Sequence, residues 1–102
     1  MLLGLHPAAV EELDAAVRWH EDERPGHGAM LYEAVRKRVA QASRFPGSGA
    51  PIVGFSEKYD VRSYRVRDFR YRVITAVVSG TPVVIAVAHM RREPGYWRDR
   101  LR

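Results

Sequence analysis

The stretch Val83-Val84-Ile85-Ala86-Val87-Ala88 constrains this chain most, because it is an almost unbroken apolar run rich in β-branched residues. It is far shorter than the ~20 residues of a membrane span, and no other apolar run approaches that length. Its composition favours a strand, and its continuity predicts a central strand covered on both faces. Covering two faces requires apolar material from the rest of the sequence. At 102 residues and 46% apolar content, a single domain over residues 1–102 is expected to supply it. The opening Met1-Leu2-Leu3-Gly4-Leu5 is too short for a signal peptide, so a cytoplasmic protein with no membrane partner is expected. The chain has no cysteine, which excludes disulfides, thiolate zinc sites and cysteine nucleophiles.

Turn and periodicity signals place the other elements. Phe69, Tyr71, Val73, Thr75 and Val77 alternate with Arg70, Arg72, Ile74, Ala76 and Val78, which predicts a strand. Ser79-Gly80-Thr81-Pro82 is a turn signal before the apolar run, and Asp68 marks a turn after the short alternation of Tyr64 and Val66 with Arg65 and Arg67. Upstream, Leu2-Leu3-Gly4-Leu5 predicts an opening strand, and Pro7 suits the first position of a helix. Val10, Leu13, Val17 and His20 give that helix one stripe; Arg24-Pro25-Gly26-His27-Gly28 breaks it. Leu31, Val35, Val39 and Ala42 mark a second helix, ended by Phe45-Pro46-Gly47-Ser48-Gly49-Ala50-Pro51. The tail from Pro94 to Arg102 predicts one or two helical turns. The expected fold class is α+β, an N-terminal strand and helical hairpin packed on a small, mainly antiparallel sheet. Val10, Leu13, Val17, Leu31, Val35, Val39, Tyr71, Val73, Val83, Ile85 and Val87 are expected to form one core between hairpin and sheet. The opposite sheet face, with arginines among aliphatic residues, is expected to be partly open and functional.

Charge is polarised along the chain. Residues 1–57 carry six basic and eight acidic side chains, and residues 58–102 carry eleven and four, so the net charges are −2 and +7. Ten of the eleven C-terminal bases are arginine, which favours planar, forked recognition of an anionic partner. Chemical constellations are sparse. His6, His20, His27 and His89 match no helix-borne zinc pair, so no metal site is expected. No nucleophilic triad, phosphate loop or HExxH helix is present. Gly26 and Gly28 lie between helices and read as a turn. His89 ends the apolar strand, where it either presents its ring to a partner or caps the backbone.

The segment His89-Met90-Arg91-Arg92-Glu93-Pro94-Gly95-Tyr96-Trp97, followed by Arg98 and Arg100, resembles the closing motif of ParE-type toxins in the RelE/ParE superfamily. Pro7-Ala8-Ala9 with Leu13, Trp19-His20, Gly26-His27-Gly28, Phe45-Pro46, Arg62 and Phe69-Arg70-Tyr71-Arg72-Val73 extend the resemblance over nearly the whole chain. The sequence departs from the family pattern at Arg70, where Pro is usual, and at Thr75 and His20, where Tyr is frequent. The resemblance implies the toxin of a bacterial type II toxin–antitoxin module, of the kind called plasmid stabilisation proteins, neutralised by a directly bound antitoxin. ParE-like members imply DNA gyrase as target, with no catalytic residues and no cofactor. RelE-like members imply ribosome-dependent cleavage of mRNA, for which Arg72, His89, Arg91, Arg92 and Tyr96 are the candidates. The two strand lysines of that nuclease branch fall on Ser63 and Arg65, and arginine is a poor proton donor or base. The ParE-like reading therefore leads. The expected antitoxin- or target-binding residues are Arg62, Arg65, Arg67, Arg70, Arg72, Arg91, Arg92, Tyr96, Trp97 and Arg100. The antitoxin is expected to be acidic and disordered when free, and DNA to be contacted only through it.

Overall fold

A helix beginning at a proline needs its preceding residue to cap it, and His6 does so: its Nδ1 accepts from the Ala8 amide at 3.0 Å. The computed structural model describes residues 3–101, so Met1, Leu2 and Arg102, including the outer part of the predicted opening strand and the last tail residue, lie outside the described residues. In chain order the elements are β1 (Gly4–Leu5), α1 (Pro7–Glu23), α2 (His27–Arg44), β2 (Ala50–Pro51), α3 (Ser56–Tyr59), β3 (Arg62–Arg65), β4 (Tyr71–Val78), β5 (Thr81–His89) and a 3-10 turn (Arg98–Leu101). One five-stranded sheet has the order β1-β5-β4-β3-β2, with β1 parallel to β5 and the other pairs antiparallel. The α+β fold expected from the sequence is the fold observed. Thr81 and Pro82, read as turn residues, belong to β5; the turn is Ser79-Gly80 alone, both with positive φ, as a two-residue hairpin prefers.

The helical hairpin packs more closely than its apolar stripe suggested. A Cβ on Gly28 would lie 2.7 Å from the Val17 carbonyl oxygen, so only glycine allows α2 to start this close to α1. Close approach buries the small residues Ala9 and Ala16 with Leu13, and turns Val10 outward, where it is 42% exposed. Val10 is thus a correction to the expected core.

Two cores exist, where one was expected. The first lies between hairpin and sheet: Leu13, Leu31, Val35, Val39, Tyr64, Val73, Val84 and Val87, with Tyr71 and Val17 at its edge. The second lies on the opposite face: Val61, Ile74, Ala76, Ile85, Ala86, Trp97 and Leu101, with Val83, Ile52, Phe55 and Tyr59 against them. The sheet divides them, and a bulge sets which β5 side chains face each core. Ile74 pairs with Ala86 and Thr75 with Val84, so Ile85 is an extra residue on β5. Ile85 and Ala86 both face the second core, while Val84 and Val87 face the helices. Val83 and Ile85 were therefore assigned to the wrong face by strict alternation. The face expected to be partly open is closed along β4 and β5 by the C-terminal segment and the loop around α3, and Trp97 rests on Phe55 with ring centroids 5.1 Å apart.

Candidate binding surface

Glu12 organises the C-terminal segment. It sits beside Leu13 on α1, and its carboxylate accepts from four donors: the Val87 amide at 3.0 Å, the Tyr96 hydroxyl at 2.6 Å, and Arg100 Nη1 and Nη2 at 2.8 and 3.1 Å. Arg100 Nη1 also donates to the Ile85 carbonyl at 3.0 Å. β1 pairs only with Val83 and Val84, so these contacts satisfy backbone groups on the next part of the β5 edge. Burial, then the hydrogen bond to Glu12, pushes the Tyr96 hydroxyl up to about 12. The Glu12 hydrogen bond likewise raises Arg100. Arg92 stacks over the Tyr96 ring, 3.8 Å from its centroid. Of the candidate residues, then, Tyr96 and Arg100 are engaged within the fold, and Trp97 is 3% exposed. Reasoning along the sequence missed Glu12 because its partners are 75 to 88 residues away. The one local signal was an acid flanking the core stripe in a chain with surplus arginine at its far end.

The arginines on the strands and the loops beside them fall into two groups. Arg62 is structural: it donates to Asp60 at 3.0 Å and to the Gly47 and Gly49 carbonyls at 3.1 and 2.9 Å, tying β3 to the loop after α2. Arg65, Arg67, Arg70, Arg72, Arg91 and Arg92 are exposed, and none joins an ion pair among the described residues. Arg65 and Arg72 are direct cross-strand partners.

At the other end of the sheet, Trp19, His20, Phe69, Tyr71 and His89 surround an open cavity of about 570 Å3. His20 is its centre, with ring centroids 4.9 Å from Trp19, 5.5 Å from Phe69 and 5.8 Å from Tyr71. Burial, then the neighbouring His27 and His89, holds His20 below the ordinary imidazole value. Burial alone raises the Tyr71 hydroxyl.

Two of the proposed nuclease residues, Arg72 and His89, do not converge, whereas Arg92 and Tyr96 meet. His89 pairs with Tyr71, and the two rings meet at 5.1 Å on the helix side of the sheet. Arg72 pairs with Ala88, whose side chain belongs to the opposite core. Adjacent strand residues point to opposite faces, so Arg72 and His89 are separated by the sheet. His89 Nδ1 accepts from the Arg91 amide at 3.1 Å, a cap on its own loop. Among the described residues no cluster of His, Asp and Glu is able to hold a metal ion. The exposed arginines can bind and steer anions, but Arg72 and His89 cannot act on one point from opposite faces of the sheet.

Residues 3–94 match the family described as ParE toxin of type II toxin-antitoxin system, parDE. No curated protein sequence matches the chain.

Proposed function

Because this chain belongs to the ParE toxin family of type II toxin–antitoxin systems, we propose that it acts by binding, that its target is DNA gyrase, and that a cognate antitoxin silences it by covering the exposed arginines. The observation that carries this reading is the separation of Arg72 from His89 by the sheet, with the Tyr96 hydroxyl already committed to Glu12. Cleavage of RNA without a metal needs proton transfer and charge stabilisation at one phosphate. Binding needs only a surface, and Arg65, Arg67, Arg70, Arg72, Arg91 and Arg92 provide one with no described ion-pair partner.

An antitoxin segment rich in carboxylates meets such a surface through bidentate forks, and by adding a strand or laying down an amphipathic helix. A segment of that composition is disordered when free and orders on docking. DNA is then reached through the antitoxin. A gyrase target places the toxin in the cytoplasm, in keeping with the absence of any described helix long and apolar enough to cross a membrane. The test is a pair of assays on the purified toxin: gyrase supercoiling, and a reconstituted translation system with message as substrate. Loss of supercoiling with message intact is the expected outcome. Message cleavage with supercoiling unaffected would establish the RelE-like nuclease instead.

A further inference from the structure

Three of the chain's four histidines, His20, His27 and His89, are far apart in sequence yet line the one aromatic cavity at the open end of the hairpin. They come from α1, α2 and β5, so the cluster ties both helices to the sheet. Its parts are held in place. The Glu21 carboxylate accepts from the Gly26 and Gly28 amides at 3.0 and 3.1 Å and fixes the turn that carries His27. His89 stands opposite Tyr71 on the neighbouring strand, and the Tyr71 hydroxyl reaches His20 Nε2 at 3.4 Å. His20 fills the space between the end of α1 and the start of β4, edge-on to Phe69 and Tyr71.

Charging His20 there costs hydration in a half-buried site and sets the new charge against its neighbours. The groups that face it are Glu23 on α1, His27 on α2, Asp68 and Arg70 in the turn before β4, Tyr71 on β4 and His89 on β5. Glu23 favours the charged ring, but burial, then His27 and His89, outweigh it and hold His20 below the ordinary imidazole value. Protonation of His89 has an effect of its own. Its Nδ1 accepts from the Arg91 amide at 3.1 Å, and an imidazolium has no acceptor left to offer.

We propose that His20, His27 and His89 form an acid-sensitive latch, which closes the end of the helical hairpin onto β4 and β5 when neutral and releases it when protonated. The loops that it frees carry Arg70, Arg91 and Arg92, so mild acid loosens one end of the basic surface. No histidine belongs to either core, and both cores stay packed. The unfolded chain takes up the His20 proton near pH ~6.5, before the folded chain does. The contribution of the latch is therefore complete above that pH and is lost as pH falls through it, until His20 is charged in the fold as well. The proposal rests on the cavity and not on the gyrase reading, so each fails or stands separately.

The experiment titrates the full chain from about pH 8 to about pH 5, following the imidazole resonances and the emission of Trp19. The Trp19 ring lies 4.9 Å from that of His20, where an imidazolium quenches an indole. The His20 midpoint is expected below the ordinary imidazole value, with Trp19 emission falling at the same midpoint. His27→Gln and His89→Gln should each raise that midpoint by removing a like charge. The Met90 amide donates to the Arg70 carbonyl at 2.9 Å, and its hydrogen exchange, corrected for the intrinsic rate, should quicken about tenfold on the acid side. His20→Gln should abolish the emission change and flatten the acid loss of Tm. The His27→Gln and His89→Gln variants keep His20 in place and carry the test if His20→Gln does not fold. A His20 midpoint at or above the ordinary value, a midpoint that neither variant moves, or Met90 exchange indifferent to pH overturns the proposal.

Discussion

Removing the Glu12 carboxylate strands a guanidinium, a phenol and a backbone amide in a single substitution. Arg100 and Glu12 form an ion pair at 2.8 Å whose side chains are 18% and 17% exposed. Breaking a fully buried pair costs about 3–5 kcal/mol. Here some water reaches both groups, and Arg100 keeps its bond to the Ile85 carbonyl. Against that, the Val87 amide and the Tyr96 hydroxyl also lose their acceptor. Glu12→Ala is therefore expected to cost about 2–4 kcal/mol, or roughly 10–25 °C in Tm for a domain of this size. Glu12→Gln keeps the shape and one acceptor oxygen and should cost less. Urea unfolding followed by the emission of buried Trp97 measures both, in a Trp19→Phe background that silences the exposed indole. A double-mutant cycle with Arg100→Met isolates the pair and should show coupling of about 1 kcal/mol or more. A Glu12→Ala cost within about 0.5 kcal/mol, with coupling near zero, would refute the assignment of Glu12 as the anchor of the C-terminal segment.

Three further outcomes follow from the same geometry. The raised Tyr96 hydroxyl stays protonated in the fold where the unfolded chain has begun to lose it, so its contribution is intact below pH 10 and lost as pH rises through about 12; Tyr96→Phe should flatten that part of a Tm-against-pH profile. Ile85→Ala should cost about 2–5 kcal/mol by urea unfolding and change Trp97 emission, because Ile85 packs in the same core as Trp97 and not against the helices; a loss of a few tenths would contradict its burial. Charge reversal at Arg70 and Arg72 should slow antitoxin association at low salt and flatten its salt dependence while leaving Tm within a few degrees; unchanged affinity and salt dependence by surface plasmon resonance would move the docking surface elsewhere.

The two helices and the β4–β5 hairpin were legible because each carries its own local signal. Leu31, Val35 and Val39 repeat at helical spacing, and Ser79-Gly80 sits between alternating strands. What stayed hidden depends on partners far along the chain. Ile52, Phe55 and Tyr59 have no periodicity, yet they cover the second sheet face with Trp97 and Leu101. The extra residue at Ile85 leaves no mark in an all-apolar run, where either face accepts every side chain. Alanine is a weak hydrophobic signal, so Ala9 and Ala16 lost to Val10 until the close contact at Gly28 fixed the rotation of α1. Among candidate site residues, the sequence marked which side chains were basic or aromatic. It did not mark which were already occupied: Arg62, Tyr96 and Arg100 hold the fold together, while Arg65, Arg70 and Arg72 remain available.

The placement of β1 beside β5 has a temporal consequence. The first strand pairs with the last, and Glu12 on the first helix finds its partners at Val87, Tyr96 and Arg100. During synthesis the helical hairpin emerges early but has no sheet to lie on, and a two-residue β1 has nothing to pair with until Val83 and Val84 appear. Contacts this distant close slowly and only after the intervening loop entropy has been overcome. A nascent chain lacking residues 96–101 would expose Ile74, Ile85 and Ala86 in place of the surface of the finished protein. Folding, and with it the ability to present the basic surface, is therefore deferred until residues 96–101 have been made. That interval is the time available for an antitoxin already in the cell to meet the chain before it is a toxin.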